Sequence, residues 1–213
     1  MMENLLRFNK KMRYAYFDVE TECLCLHIPL NLPWQLGMLK VTGDTTTDSY
    51  CEYIKWDRPL KLSAKAAEIT RYDAAKVEKY AKPYREVIEK AVDWTSNCDY
   101  ICGSNVLGFD IYFLIYFYEL CGKSSKGLAE KVLDTHLLAK GLKINNVYNP
   151  SKNSLLEYQY TIQNTKAKGV KTKLEVLGRE YGIEHDYESC HDALSDLVLN
   201  KKVFDKLVYQ IEI

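Results

Sequence analysis

Two carboxylates separated by one residue mark the first place where this chain could do chemistry: Asp18 and Glu20, in Tyr14-Ala15-Tyr16-Phe17-Asp18-Val19-Glu20-Thr21. The stretch is rich in aromatic and β-branched residues and predicts a strand. Strand side chains alternate between faces, so Asp18 and Glu20 share one face while Phe17 and Val19 point into a core. Carboxylates this close repel each other, and a cation between them is one way to relieve it. The same alternation would also suit the solvated face of an edge strand.

Two more acids could join the pair. Asp110 ends Gly-Ser-Asn-Val-Leu-Gly-Phe-Asp, where a strand gives way to a helix, and is either a helix N-cap or a further ligand. Asp196 falls inside the final helix, where aspartate is unfavourable unless it meets solvent or a partner. Asp192, one turn earlier, reads as structural, since an acid in the first turn complements the helix dipole. His191 on its own would be an ordinary helix-start residue.

The elements that must position these groups can be read from periodicity and turn chemistry. Residues 34–41 and 48–56 predict two further strands around Thr42-Gly43-Asp44, which completes a three-strand antiparallel meander. From Ser63 the period becomes helical, with a short helix to about Thr70 and a longer one over 84–97 that sets Val87, Ile88, Ala91 and Trp94 on one face. A buried strand at 100–102 leads to an apolar helix over 110–121 that stops at Gly122. A strand at 131–134 follows, then a helix to about Lys140 capped by Asp134 or Thr135. Thr172-Lys173-Leu174-Glu175 has the capping-box pattern and opens a helix ending near Gly182. The last helix is expected over about 191–210. This order predicts one α/β domain over residues 1–213, its central mixed β-sheet made of the meander plus parallel strands and flanked by helices.

Composition sets the surroundings. Hydrophobic residues at 47% and charged residues at 27% suffice for a folded core. With 29 basic and 29 acidic residues the formal charge is zero, so any attraction for a polyanion must be local. A local excess exists between Leu142 and Lys173, where six lysines (143, 152, 166, 168, 171, 173) face Glu157 alone. We read the segment at about 142–171 as a basic loop insertion, either a solvated surface or a flap that contacts phosphates. Seven scattered cysteines with no CxxC pair suggest neither a zinc site nor a disulfide framework, and reduced thiols fit a cytoplasmic protein. The opening MMENLLRFNKK is too poor in apolar residues for a signal peptide, and no run reaches transmembrane length, so no membrane partner is expected.

Taken together, Asp18-Val19-Glu20-Thr21, Asn105-x-x-x-Phe109-Asp110 and His191-Asp192-Ala193-Leu194-Ser195-Asp196 resemble the three motifs of the DEDDh family, the DnaQ-like 3′→5′ exonucleases. The resemblance runs from about Tyr14 to Leu207. It takes in softer features at Trp34-Gln35-Leu36-Gly37, Ala67-Glu68-Ile69-Thr70 and Leu133-Asp134-Thr135. Ser104 stands where family members often carry histidine. The spacing from Asn105 to Phe109 looks more like the proofreading domains of family B polymerases, but those domains use a tyrosine four residues before the third-motif aspartate, a position held here by Asp192, so the base falls to His191.

The resemblance implies an RNase H-like fold and a two-metal-ion exonuclease that releases nucleoside 5′-monophosphates from single-stranded DNA ends. Asp18, Glu20, Asp110 and Asp196 would hold two divalent ions, Mg²⁺ or Mn²⁺, through hard oxygen ligands. His191 would act as general base on the attacking water. His185 is the rival base, and His27 and His136 are expected to do surface or capping work. Thr21, Leu24, Asn105 and Phe109 would meet the 3′ end, and Lys166, Lys168, Lys171 and Lys173 would clamp phosphates. Trimming of RNA, or service as the proofreading partner of a separate DNA polymerase, are the alternatives.

Overall fold

A computed structural model describes residues 5–190 and 192–213. The acidic alternation forms strand β1 (Arg13–Thr21), and its antiparallel neighbours are β2 (Pro33–Thr42) and β3 (Thr45–Lys55), which begins three residues before the predicted start. Short strands β4 (Lys82–Pro83), β5 (Tyr100–Gly103) and β6 (Val132–Asp134) add in parallel, giving one mixed sheet of order β4-β3-β2-β1-β5-β6. The remaining chain forms α1 (Ala64–Thr70), α2 (Ala74–Tyr80), α3 (Tyr84–Ser96), α4 (Asp110–Leu120), α5 (Thr135–Lys143), α6 (Leu155–Asn164), α7 (Leu174–Glu180) and α8 (Ala193–Leu207). Among the described residues no helix is long and apolar enough to cross a membrane.

The alternation of β1 assigns its two faces. Tyr14 and Tyr16 pack edge-on against Phe204 of α8, and Phe17 packs against Phe117 of α4. Helix α8 therefore covers the face that carries Asp18 and Glu20, while α4 covers the opposite face. The approach of α8 depends on β2. Gly37 pairs with Asp18 across the ladder, and a Cβ at Gly37 would stand 2.7 Å from the backbone carbonyl carbon of Ala193. Two pairs along, Gln35 lies opposite Glu20, donates to Asp192 Oδ1 at 2.8 Å and accepts from Ala193 N at 3.3 Å. Asp192 is the N-cap of α8 and accepts from Ser195 N, so its structural reading agrees with the fold.

The structure differs from the sequence expectation in three places. Helix α6 lies inside the segment read as a basic loop. It opens with a capping box in which the Ser154 side chain accepts from Glu157 N and Glu157 reaches back to Ser154 N, and it buries Tyr158, Gln159 and Ile162. Gln159 also covers the outer edge of the sheet, accepting from Asp134 N at 2.8 Å and donating to Val132 O at 2.9 Å, as a further strand would. Helix α2 was not anticipated, because Val77 is its one buried side chain. Thr172 does not cap α7: its hydroxyl lies 2.9 Å from His136 Nδ1, and Lys173 takes the N-cap position without a side-chain hydrogen bond.

Candidate metal and nucleic-acid site

Asp18 and Glu20 project from β1 toward the first turn of α8, where Asp196 meets them. Ligand oxygens of these three residues all lie within 4.8 Å of one another. Asp110 comes from the other side of the sheet. It is the first residue of α4, is 4% exposed, and accepts from Val19 N at 3.1 Å, which fixes its carboxylate at the strand between the two motif acids. Residues 18, 20, 110 and 196 thus gather from three distant segments. His191, expected as the base, lies outside the described residues.

The cluster is electrostatically costly. Burial, then the charges of Asp110, Glu20 and Asp196, push the Asp18 carboxyl well above its ordinary range. Burial first and Asp196 next push Glu20 up to about 9. Asp110 rises to about 8 through burial, although the Val19 amide opposes the shift. Among the described residues, no lysine or arginine pairs with Asp18, Glu20 or Asp110. Oxygen donors this close, with no internal cation among those three, form the donor set that suits a hard divalent ion. The cluster fits the metal the motifs imply.

A pH dependence follows. Carboxyls whose folded-state pKa is raised keep protons that the unfolded chain has already released, so stability is lost as pH rises from the unfolded values of 4.5 and 3.8 toward about 9 and about 8. The melting temperature of metal-free protein should therefore fall between about pH 5 and about pH 9, and a divalent cation should flatten that fall. Parallel melting curves with Mg²⁺ and with EDTA across this range would count against a cation site.

Two cavities flank the acids. The first, of about 470 Å³, is a largely apolar groove between the turn after β1 and helix α1, lined by Glu20, Thr21, Leu24, Ser63, Ile69 and Phe109. Leu24, on the groove's lining, is 88% exposed. The second, of about 490 Å³, is lined mostly by polar residues, among them Ser104, Asn105, His136, Lys173, Glu175 and Asp196. Three of the expected contacts, Thr21, Leu24 and Phe109, thus share one groove with Glu20, whereas Asn105 and Lys173 share the other with Asp196. Lys166, Lys168 and Lys171 are exposed and line neither cavity.

Second-motif geometry is set by Asp134. This fully buried carboxylate accepts from Asn105 N at 2.9 Å and Leu107 N at 3.1 Å, and it caps α5 through His136 N and Leu137 N. Asn105 can then adopt its left-handed conformation, φ 66°. His136, expected to do surface or capping work, lines the second cavity with its ring 2.9 Å from the Thr172 hydroxyl; nothing in the local sequence signals a partner 36 residues away. His185, the rival base, lies 3.2 Å from Ser195 Oγ, and burial together with Lys202 lowers its pKa.

No family model and no curated protein sequence matches the chain. Its structure is similar to that of exonuclease I in product-bound form, with TM-score 0.70 and 16% identity over 94% of this chain and 44% of that one. It is also similar to E. coli exonuclease I in complex with a dT13 oligonucleotide, with TM-score 0.70 and 15% identity over 92% and 41% of the two chains. A zinc-bound form of the E. coli enzyme with single-stranded DNA gives TM-score 0.71 and 14% identity over 94% and 42%. This chain spans less than half the length of each of these structures. At such identities the likeness establishes the fold, which is the RNase H-like arrangement that the motifs imply.

Proposed function

We propose that the chain is a metal-dependent 3′→5′ exonuclease that acts on single-stranded DNA ends and releases nucleoside 5′-monophosphates. The observation that carries this reading is the meeting of Asp18, Glu20 and Asp196, with Asp110 beside them, at the rim of an apolar groove. The solved structures similar to it include exonuclease I complexes with single-stranded oligonucleotides, which supports DNA as the substrate.

The reaction attacks a phosphodiester with water and breaks the bond from phosphorus to the O3′ of the preceding nucleotide, which takes up a proton and becomes the new end. Divalent ions of the Mg²⁺ type, held by Asp18, Glu20, Asp110 and Asp196, would supply the positive charge that an anionic diester needs in this acidic site. The apolar groove receives the terminal nucleoside, with Leu24, Ile69 and Phe109 against the base and Thr21 near the sugar. Asn105 and Lys173 face the backbone from the second cavity. His191, the residue before Asp192 in the sequence, takes the proton from the attacking water.

The test is digestion of 5′-labelled DNA and RNA oligonucleotides with Mg²⁺, with and without EDTA. A ladder shortening from the 3′ end on DNA, releasing monophosphates and stopped by EDTA, is expected. Insensitivity to EDTA overturns the metal site, and faster cleavage of RNA moves the substrate to the RNA alternative. Lys166, Lys168 and Lys171 are exposed, and a strand extending past the cavities would meet them. Replacing all three with alanine should make the log–log salt dependence of oligonucleotide binding shallower by about 2, at about 0.7 per phosphate contact on a single strand. An unchanged slope would remove them as a clamp.

A further inference from the structure

Besides Asp134, another buried carboxylate stands outside the acid cluster. Glu22, two residues after Glu20, is 2% exposed and pairs with Arg58 through both oxygens, Nη1 to Oε1 at 2.9 Å and Nη2 to Oε2 at 2.5 Å. Its Oε2 also accepts from Leu32 N at 2.8 Å, and its Oε1 accepts from Lys61 N. Arg58 donates in turn to the carbonyls of Leu30 at 2.9 Å, Pro29 at 3.1 Å and Pro59 at 2.8 Å. Three segments therefore meet on one ion pair: the end of β1, the return of the loop after it, and the 58–61 stretch that leads into α1.

Those are the segments that build the apolar groove. Thr21 and Leu24 form one wall, immediately beside Glu22. Ser63 and Ile69 form the other, on α1 and its N-cap. Helix α1 buries no side chain, and the Ser63 cap and the Thr70 hydroxyl bond only within the helix itself. Within α1 no buried side chain anchors this wall; past its end, Tyr72 packs edge-on against buried Trp34 at 5.2 Å and its N donates to Ala67 O, which leaves the start of the helix to be fixed separately. The tie at Lys61, two residues before the Ser63 cap, is what fixes where the helix starts relative to the opposite wall.

We propose that the Glu22–Arg58 pair is a positioning pair that sets the width of the groove, holding α1 against the turn after β1 so that a terminal nucleoside fits between them. The nature of the occupant rests on the exonuclease reading; the mechanical role of the pair does not. The planar fork of arginine is what lets one side chain grip two carboxylate oxygens and three carbonyls, and lysine would keep the charge but lose that geometry.

The experiment compares wild type with Arg58→Lys and with the doubly neutral Glu22→Gln/Arg58→Met, which leaves no unpaired buried charge. It has three readouts: hydrogen exchange of the α1 amides, the Kd of a 5′-fluorescein oligo-dT with Ca²⁺ in place of Mg²⁺, and KM and kcat with Mg²⁺. The expected result is about tenfold faster exchange in α1 and about tenfold weaker Kd and KM, with kcat within about twofold of wild type. Wild-type exchange in α1 overturns the proposal, as does a loss confined to kcat. If wild type binds the oligonucleotide without cleaving it, the exonuclease reading fails while exchange and Kd still decide the pair. Should Arg58→Lys not fold, the double variant decides by the same readouts.

Discussion

Asp18→Asn is expected to lower hydrolysis at least about 10³-fold and, in the metal-free protein, to raise the melting temperature. The first effect follows from removing one charged ligand from a set whose positive-charge delivery is worth several kcal/mol at the transition state. The second follows from the same geometry with opposite sign. Asp18 is raised by burial and by four neighbouring acids, so the folded state without metal carries a repulsion that the unfolded chain escapes. Asparagine keeps the shape and removes that repulsion. A gain of about 1 kcal/mol would appear as about 2–4 °C in a chain of this size. With Mg²⁺ present the order should reverse, since wild type gains ion binding that the variant lacks. Calorimetric melts with EDTA and with Mg²⁺, beside an oligonucleotide assay, decide the matter. A variant that melts lower without metal and retains activity would make Asp18 a structural residue.

This stability cost explains why the motif acids were legible in the sequence. A packed domain does not put aspartate on a strand face beneath a helix, or inside the helix above it, without a compensating partner. That local inconsistency at residues 18, 20 and 196 is visible without coordinates. The walls around the acids were less legible because their placement is tertiary. Helix α1 buries nothing, so its sequence carries no amphipathic stripe, and the ion pair proposed to position it joins Glu22 and Arg58, 36 residues apart. Thr172 has the spacing of a cap, but its hydroxyl is engaged by His136, a contact that local sequence cannot encode. Helix α6 was a different case. Its Ser154-Leu155-Leu156-Glu157 start is a capping box in plain sight, outweighed by the lysines around it, which are charges on the flanks of a helix whose Gln159 completes the sheet edge.

Gly37 makes the second large prediction, because it acts on the acids without touching them. It pairs with Asp18 in the ladder and faces the first residue of α8, where a Cβ would lie 2.7 Å from the Ala193 carbonyl carbon, 2.9 Å from its oxygen and 2.9 Å from its Cβ. Backbone cannot yield as a flexible side-chain end can, so Gly37→Ala must push the start of α8 off the sheet. That strains the Gln35 bonds to Asp192 and Ala193 and carries Asp196 away from Asp18 and Glu20. Overpacking of this kind costs about 1–3 kcal/mol. A displacement approaching 1 Å at a reacting centre can cost about 10²-fold in rate. We expect kcat to fall by about that factor and metal affinity, read by Mn²⁺ titration calorimetry, to weaken with it. Adding Ala193→Gly removes the Cβ contact but leaves both carbonyl contacts, so the double variant should recover little. A Gly37→Ala protein with kcat within about twofold of wild type would show that α8 can shift without disturbing the acids. The close approach at Gly37 would then be a matter of packing alone.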